Sequence, residues 1–220
     1  MKSIELFNQL LIPVTDRKYT LTEDKTLENK FKMDLEIEIS ENTNIFRLVE
    51  FKEKKGKITE DENSKIKFLY TNKFPDGVFI QVISINEYKI FVFELKKNST
   101  NYLDTIPIQL HSGILNAISL INLGEAIVAE DSQNIIQNSV RISYNLIVGT
   151  TVRDNIPVKT LKVIPGDSTE QNRRRKLYNE GLVYCNLKGT KYVKLPVEKV
   201  YFEELDTLED YQLFKAHFCI

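Results

Sequence analysis

Two cysteines, Cys185 and Cys219, and two histidines, His111 and His217, are the whole supply of soft ligands in a chain of 220 residues. That argues against a disulfide scaffold and against Cys/His zinc chemistry. An excess of one charge is also missing. The net charge is -1, so nothing draws the whole protein toward nucleic acid or a membrane. A site for a polyanion has to be a local patch. No apolar run reads as long enough to cross a bilayer, so no membrane partner is expected. The opening residues, MKSIELFNQLL, carry a glutamate within a short apolar stretch and no small-residue cleavage site. No signal peptide is therefore expected, and the expected location is the cytoplasm. The sequon Asn98-Ser99-Thr100 reads as chance in that setting. Internal repeats, low-complexity tracts and linkers are not evident.

What is present is enough for a core. An apolar fraction of 42% and a charged fraction of 28% are typical of a soluble globular protein. The length suits one domain of ordinary to large size. Residues 4–11 suggest a short helix that stops at Pro13, followed by a polar, charged stretch to about Lys30. From Phe31 the pattern turns to period two. FKMDLEIEI, NIFRLVEFK and KIKFLYTN alternate as half-buried strands do, with a charged loop between the second and third. After residue 101 the period changes. Ile106, Leu110, Ile114, Ala117, Ile118 and Ile121 recur at helical spacing. Asp104 or Thr105 can cap the start and Gly124 can end it. EAIVAE and RISYNLIVGTTV read as buried strands, and IPVKTLKVIP as another extended segment. STEQNRRRKLYNEG reads as a basic helix, the stretch around Lys188-Gly189 as a hairpin, and EELDTLEDYQLFKAHF as an acidic helix. The expected class is mixed α/β (α+β), in a single domain.

The stretch FPDGVFIQVISINEYKIFVFELKK, residues 74–97, carries the chemistry. It reads as two strands joined by a tight turn at Asn86-Glu87. Residues two apart on a strand share a face, so Glu94 and Lys96 point one way and Phe91, Phe93 and Leu95 the other. Antiparallel pairing about that turn sets Asp76 opposite the end of the Glu94–Lys96 segment. Two carboxylates and an ammonium then converge at one sheet edge open to solvent. Carboxylates brought together repel, and a divalent cation would remove the repulsion. Hard oxygen ligands suit Mg²⁺ or Mn²⁺. A lysine beside the ion could orient or help deprotonate a water, or offset charge in the transition state. The plain alternative is a turn at Pro75-Asp76-Gly77 and a surface salt pair at Glu94 and Lys96.

Pro75-Asp76, a spacer, then Glu94-Leu95-Lys96 resembles the PD-(D/E)XK nuclease superfamily, the fold of many restriction enzymes and junction resolvases. The resemblance covers about residues 65–151. It implies a restriction-endonuclease-like core: a central mixed sheet flanked by helices, with an extra β-rich N-terminal portion. On that reading residues 1–64 are a helix and β-rich addition, 65–151 the core, and 152–220 a basic segment and acidic tail. It further implies that Asp76, Glu94 and Lys96 are catalytic. Asp76, Glu94 and the Leu95 carbonyl would hold Mg²⁺ or Mn²⁺, and Gln109 would line the site. Many members have a further acid on a helix before the first core strand. Glu5 and Glu28 are the candidates here, and neither stands out.

Arg173, Arg174 and Lys176 lie in a stretch, about 153–199, that is basic within a neutral protein. Such a patch suits a nucleic-acid backbone; it also suits a solvated helix face that offsets the acidic tail. The expected activity is metal-dependent hydrolysis of DNA, or RNA, phosphodiesters in restriction, repair or phage defence. The protein would act as a homodimer or within a larger complex. Two other readings stay open. One is an inactive nuclease-like fold serving as a nucleic-acid-binding or assembly subunit. The other is an accessory protein that binds a protein partner through its β-rich half.

Overall fold

The alternation over residues 31–38 is borne out residue by residue, whereas in the next segment Ile45 and Phe46 are both buried. Phe31, Met33, Leu35 and Ile37 are buried and Lys32, Asp34 and Glu36 are not, because successive side chains on a strand leave opposite faces. The structure is a computed structural model describing residues 11–25, 30–41, 43–48, 53–54, 57–58, 74–84, 86–132, 140–151, 169–185, 193–208 and 211–220. Its strands are β1 (Ile12–Pro13), β2 (Lys18–Lys25), β3 (Phe31–Glu38), β4 (Asn44–Leu48), β5 (Glu53–Lys54), β6 (Lys57–Ile58), β7 (Gly77–Ser84), β8 (Glu87–Leu95) and β9 (Arg141–Thr150). They continue with β10 (Leu182–Cys185), β11 (Val193–Pro196), β12 (Glu198–Tyr201), β13 (Glu203–Leu208) and β14 (Tyr211–Cys219). The helices are α1 (Ile106–Ser132) and α2 (Thr169–Asn179), with a 3-10 turn over Ser99–Tyr102.

The class is mixed α+β, built in three layers. The central layer is a six-stranded mixed sheet in the order β1-β4-β7-β8-β9-β12. β7 and β8 pair antiparallel, and β8 and β9 pair parallel after the chain crosses over through α1. β8 lies inside this sheet, so its run IFVFEL is buried on both faces, as an interior strand covered on two sides must be. One face packs under α1, α2 and the β10–β11 hairpin, through Val78, Ile80, Ile90, Val92, Leu110, Ala117 and Tyr178. The other face packs on a four-stranded sheet in the order β13-β14-β3-β2. Phe79, Phe93 and Phe218 meet edge to face in that second interface. Each such ring contributes about 0.5–1.5 kcal/mol beyond its buried area.

Several expectations are corrected. The described helices cover one face of the central sheet rather than flanking both; the other face belongs to a sheet made by both ends of the chain. The stretch before Lys30 is not merely polar, since Tyr19 and Leu21 pack inward from β2. EAIVAE is not a strand: α1 runs through Gly124 to Ser132, because a short apolar run fits a buried helix as well as a strand. The acidic C-terminus is not helical but forms the β13–β14 hairpin. β14 also pairs parallel with β3, from Gln212↔Phe31 to Cys219↔Glu38, a contact no local pattern announces. Within α1, the segment Ile106–Ala126 is long and apolar enough to cross a bilayer by length and composition alone, which the sequence reading missed. More than half of it is buried against the sheet, as a core helix would be. The segments KIKFLYTN and IPVKTLKVIP lie outside the described residues.

Candidate functional site

The β7–β8 hairpin turns a residue earlier than expected, since Glu87 already belongs to β8 and pairs with Ser84. Asn86 takes a left-handed φ of 62°, a conformation Asn tolerates well. Gly77 pairs with Phe93, which brings Asp76 opposite Glu94. The backbone N–H of Leu95 donates to Asp76 Oδ2 at 2.6 Å, so the aspartate is fixed by the strand it faces. Two glycines let neighbouring elements close on this corner. A Cβ on Gly113 of α1 would stand 2.7 Å from Val92 and 2.9 Å from Pro75. A Cβ on Gly77 would stand 2.6 Å from Leu21 of β2. Helix and second sheet therefore both approach the Pro75-Asp76 step closely. Gln109, in the first turn of α1, donates its amide to the Phe74 carbonyl at 3.5 Å, just ahead of that step.

The Lys96 ammonium is the centre of the cluster. It lies 2.6 Å from Glu94 Oε1 and 3.8 Å from Asp76 Oδ2. It donates to the Leu95 carbonyl at 2.8 Å. It also lies 3.7 Å from Glu23 Oε1, an acid on β2 that the sequence reading missed. Glu23 has Lys25 at 3.7 Å on the same strand. The signal that could have found it was the alternation Tyr19, Leu21, Glu23, which aims a glutamate along an inward-facing row. Glu5 and Glu28, the acids expected to complete the set, lie outside the described residues. The cluster differs from its expected setting. It sits at the end of an interior strand rather than on an exposed edge. Glu94 is wholly buried and the Lys96 side chain is only 13% exposed.

Burial sets the electrostatics. It raises the Glu94 pKa from 4.5 to about 8, with the Asp76 charge adding to the rise and Lys96 opposing it. Burial and Asp76 raise Glu23 as well, against Lys96 and Lys25. Burial works against the charge on Lys96, but Glu94, Asp76 and Glu23 outweigh it and raise its pKa. Three acids thus hold one ammonium in a poorly solvated corner. Perturbed groups of this kind concentrate at functional sites.

Among the described residues, no group of three or more His, Cys, Asp or Glu stands arranged as a ready metal site. The donors nonetheless suit a hard cation. Oε2 of Glu94 and Oε2 of Glu23 are buried without a hydrogen-bond partner. Carboxylate oxygens so placed favour a bound cation or a proton. The Lys96 ammonium now stands where Asp76, Glu94 and the Leu95 carbonyl converge.

Arg173, Arg174 and Lys176 lie on α2, outside the hairpin that carries this cluster. Arg173 and Lys176 are exposed on α2, one turn apart, while Arg174 is half-buried. Arg174 donates to Glu170 at 3.2 Å, one turn back, so part of its charge is met within the helix. Leu177 and Tyr178 anchor the other side of α2. His111 is half-buried on α1, and burial lowers its pKa. A cleft of about 1060 Å³, lined by Gln81, Lys89, Phe91, Asn145, His217 and Phe218 among others, contains none of Asp76, Glu94 and Lys96.

Fold and site together define a mixed α+β protein with an acid–lysine cluster buried at the end of a central strand. The chain matches no protein-family model, no curated protein and no solved structure.

Proposed function

We propose that the protein is a Mg²⁺- or Mn²⁺-dependent nuclease of the PD-(D/E)XK type, hydrolysing phosphodiester bonds in DNA. One observation carries the reading. Asp76, Glu94, Lys96 and the Leu95 carbonyl meet within 3.8 Å of the lysine nitrogen, on a strand–turn–strand followed by a helix and a parallel strand. In this reading the β4-β7-β8-β9 strands and α1 form the restriction-endonuclease-like core, and the second sheet is an addition to it. Asp76, Glu94 and the Leu95 carbonyl would hold the cation. When bound, that ion neutralises phosphate charge and lowers the pKa of a water. Lys96 orients the attacking water and offsets charge that develops on the phosphate. Water oxygen bonds to phosphorus, the bond to the leaving oxygen breaks, and that oxygen takes up a proton. Gln109 holds the Phe74 carbonyl and so keeps the Pro75-Asp76 step in register. Arg173 and Lys176 contact backbone phosphates and position the duplex without reading its sequence.

A second reading is an inactive nuclease-like fold that binds nucleic acid or assembles a larger complex. What favours it is the complete burial of Glu94 and the ammonium seated among the acids. Cleavage assays with Mg²⁺ or Mn²⁺ on double-stranded, single-stranded and branched DNA, and on RNA, decide between the two. The nuclease reading expects cutting that Asp76→Asn and Lys96→Ala each reduce by about a hundredfold or more. No cleavage of any substrate by the wild-type protein would hand the case to the second reading. Cleavage that survives Lys96→Ala would place the active site elsewhere.

A further inference from the structure

Glu23 belongs to neither the hairpin nor the central sheet. It comes from β2, whose Leu21 closes on Gly77 beside Asp76, and its carboxylate reaches the Lys96 ammonium at 3.7 Å. The same nitrogen has Glu94 at 2.6 Å and Asp76 at 3.8 Å. Three carboxylates, on β2, on β8 and in the bend just before β7, therefore face one point. Glu94 is wholly buried, and its Oε2 has no hydrogen-bond partner; Glu23 Oε2 is buried and lacks one too. One ammonium within the cluster leaves oxygen lone pairs of two acids unused. We propose that Glu23 is a third carboxylate ligand of a divalent-cation site whose place is now held by the Lys96 ammonium.

The proposal rests on the nuclease reading for the existence of the cation site, and adds to it the ligand that the second sheet delivers. The distances fit an exchange of one cation for another. Ion pairs to an ammonium span 2.6–3.8 Å here, whereas oxygen ligands approach Mg²⁺ to about 2.0–2.1 Å. Binding therefore requires the flexible lysine stem to swing aside and the carboxylates to close inward by about 0.5–1.8 Å. Lysine is suited to that, since its charge is a point at the end of four rotatable methylenes. Glutamate on β2 is suited to follow, having a longer reach than the aspartate fixed on Leu95.

Mn²⁺ binding to the full-length protein, read by loss of the free-ion electron paramagnetic resonance signal and by calorimetry, tests this without substrate. Glu23→Gln is expected to weaken Mn²⁺ binding by about tenfold or more, since ligand charge sets affinity at such sites. Glu23→Asp, which keeps the charge, should recover part of the loss. In a Lys96→Met background the Glu23→Gln loss should persist. Circular dichroism on each variant confirms that the fold is retained, and Glu23→Asp serves if Glu23→Gln does not fold. Equal Mn²⁺ affinity in wild type and Glu23→Gln would overturn the proposal and leave the nuclease reading standing. A loss that vanishes in the Lys96→Met background would also overturn it, making Glu23 a partner of the lysine and not a ligand. Absence of Mn²⁺ binding in the wild type would remove the cation site, and with it this proposal and the nuclease reading.

Discussion

Replacing Lys96 with methionine probes the cluster through stability alone. Methionine keeps a long unbranched stem and deletes the charge. In the native protein Glu94 titrates at about 8, against 4.5 in its ordinary state, with burial and Asp76 pushing up and Lys96 pulling down. Between those two values the folded protein carries a proton that the unfolded chain has lost. Stability therefore falls as pH rises, by about 1.4 kcal/mol per pH unit for one proton. Below 4.5 both states are protonated, and above about 8 both are ionised, so the wild-type contribution is flat outside that window. Removing Lys96 takes away the downward pull, and the folded pKa climbs higher. The fall in stability then continues where the wild type has levelled. Lys96 itself titrates above its ordinary 10.5, outside the range that matters here. The two proteins should differ least near pH 6, and their gap should widen by about 1–2 kcal/mol between pH 8 and pH 9.5. Urea denaturation followed by circular dichroism at pH 6, 8 and 9.5 measures this. Adding Glu94→Gln to the variant should abolish the widening, because glutamine has no proton to lose. A gap that is constant with pH, or largest at pH 6, would refute the account of Glu94 as a buried acid held partly ionised by its lysine.

Two further outcomes follow from the same geometry. Arg173→Ala and Lys176→Ala should each weaken DNA binding uniformly across sequences and reduce the salt slope by about one. Arg174→Ala should do less, because that side chain is half-buried whereas Arg173 and Lys176 are exposed; an unchanged slope in all three would return α2 to a solvated helix face. Gly113→Ala should destabilise the fold by about 1–3 kcal/mol, read from the urea midpoint, since its Cβ would press on Val92 and Pro75. A neutral result there would mean that α1 does not sit against the Pro75-Asp76 step as closely as described.

Local chemistry made part of this legible in the sequence. The approximate turn and the alternation on either side set Asp76 opposite the Glu94–Lys96 segment before any coordinates; its place opposite Glu94 itself depends on the earlier turn and on a register shift between Val82 and Ser84. The start of α1 followed from the spacing of Ile106, Leu110 and Ile114. What failed has a common cause. EAIVAE has only four apolar residues, between two glutamates, and so short a run satisfies a strand and a helix equally; here continuation of α1 won. YQLFKAHF offered weak helical spacing, but its partner β3 lies nearly the whole chain away, and that pairing decided its state. Propensity gives way where a tertiary partner supplies the hydrogen bonds.

Asp76, Glu94 and Lys96 were brought together from the sequence, but the setting of the cluster was misjudged. A Glu-x-Lys pattern on a strand has one meaning at an exposed edge and another inside a sheet. Sequence alternation fixed that Glu94 and Lys96 share a face, but it could not say that β9 would pair along the far side of β8. That pairing follows a crossover through α1, and it makes β8 an interior strand. Interior placement is what buries Glu94, raises its pKa, and turns Lys96 from a surface charge into the counter-ion of a closed corner. The acid that then joins them, Glu23, arrives from a sheet built by both ends of the chain. Its place beside Asp76 depends on β2 pairing with β3 and on Gly77 leaving room for Leu21. The hairpin thus supplies the chemistry, and the packing of two sheets sets its protonation.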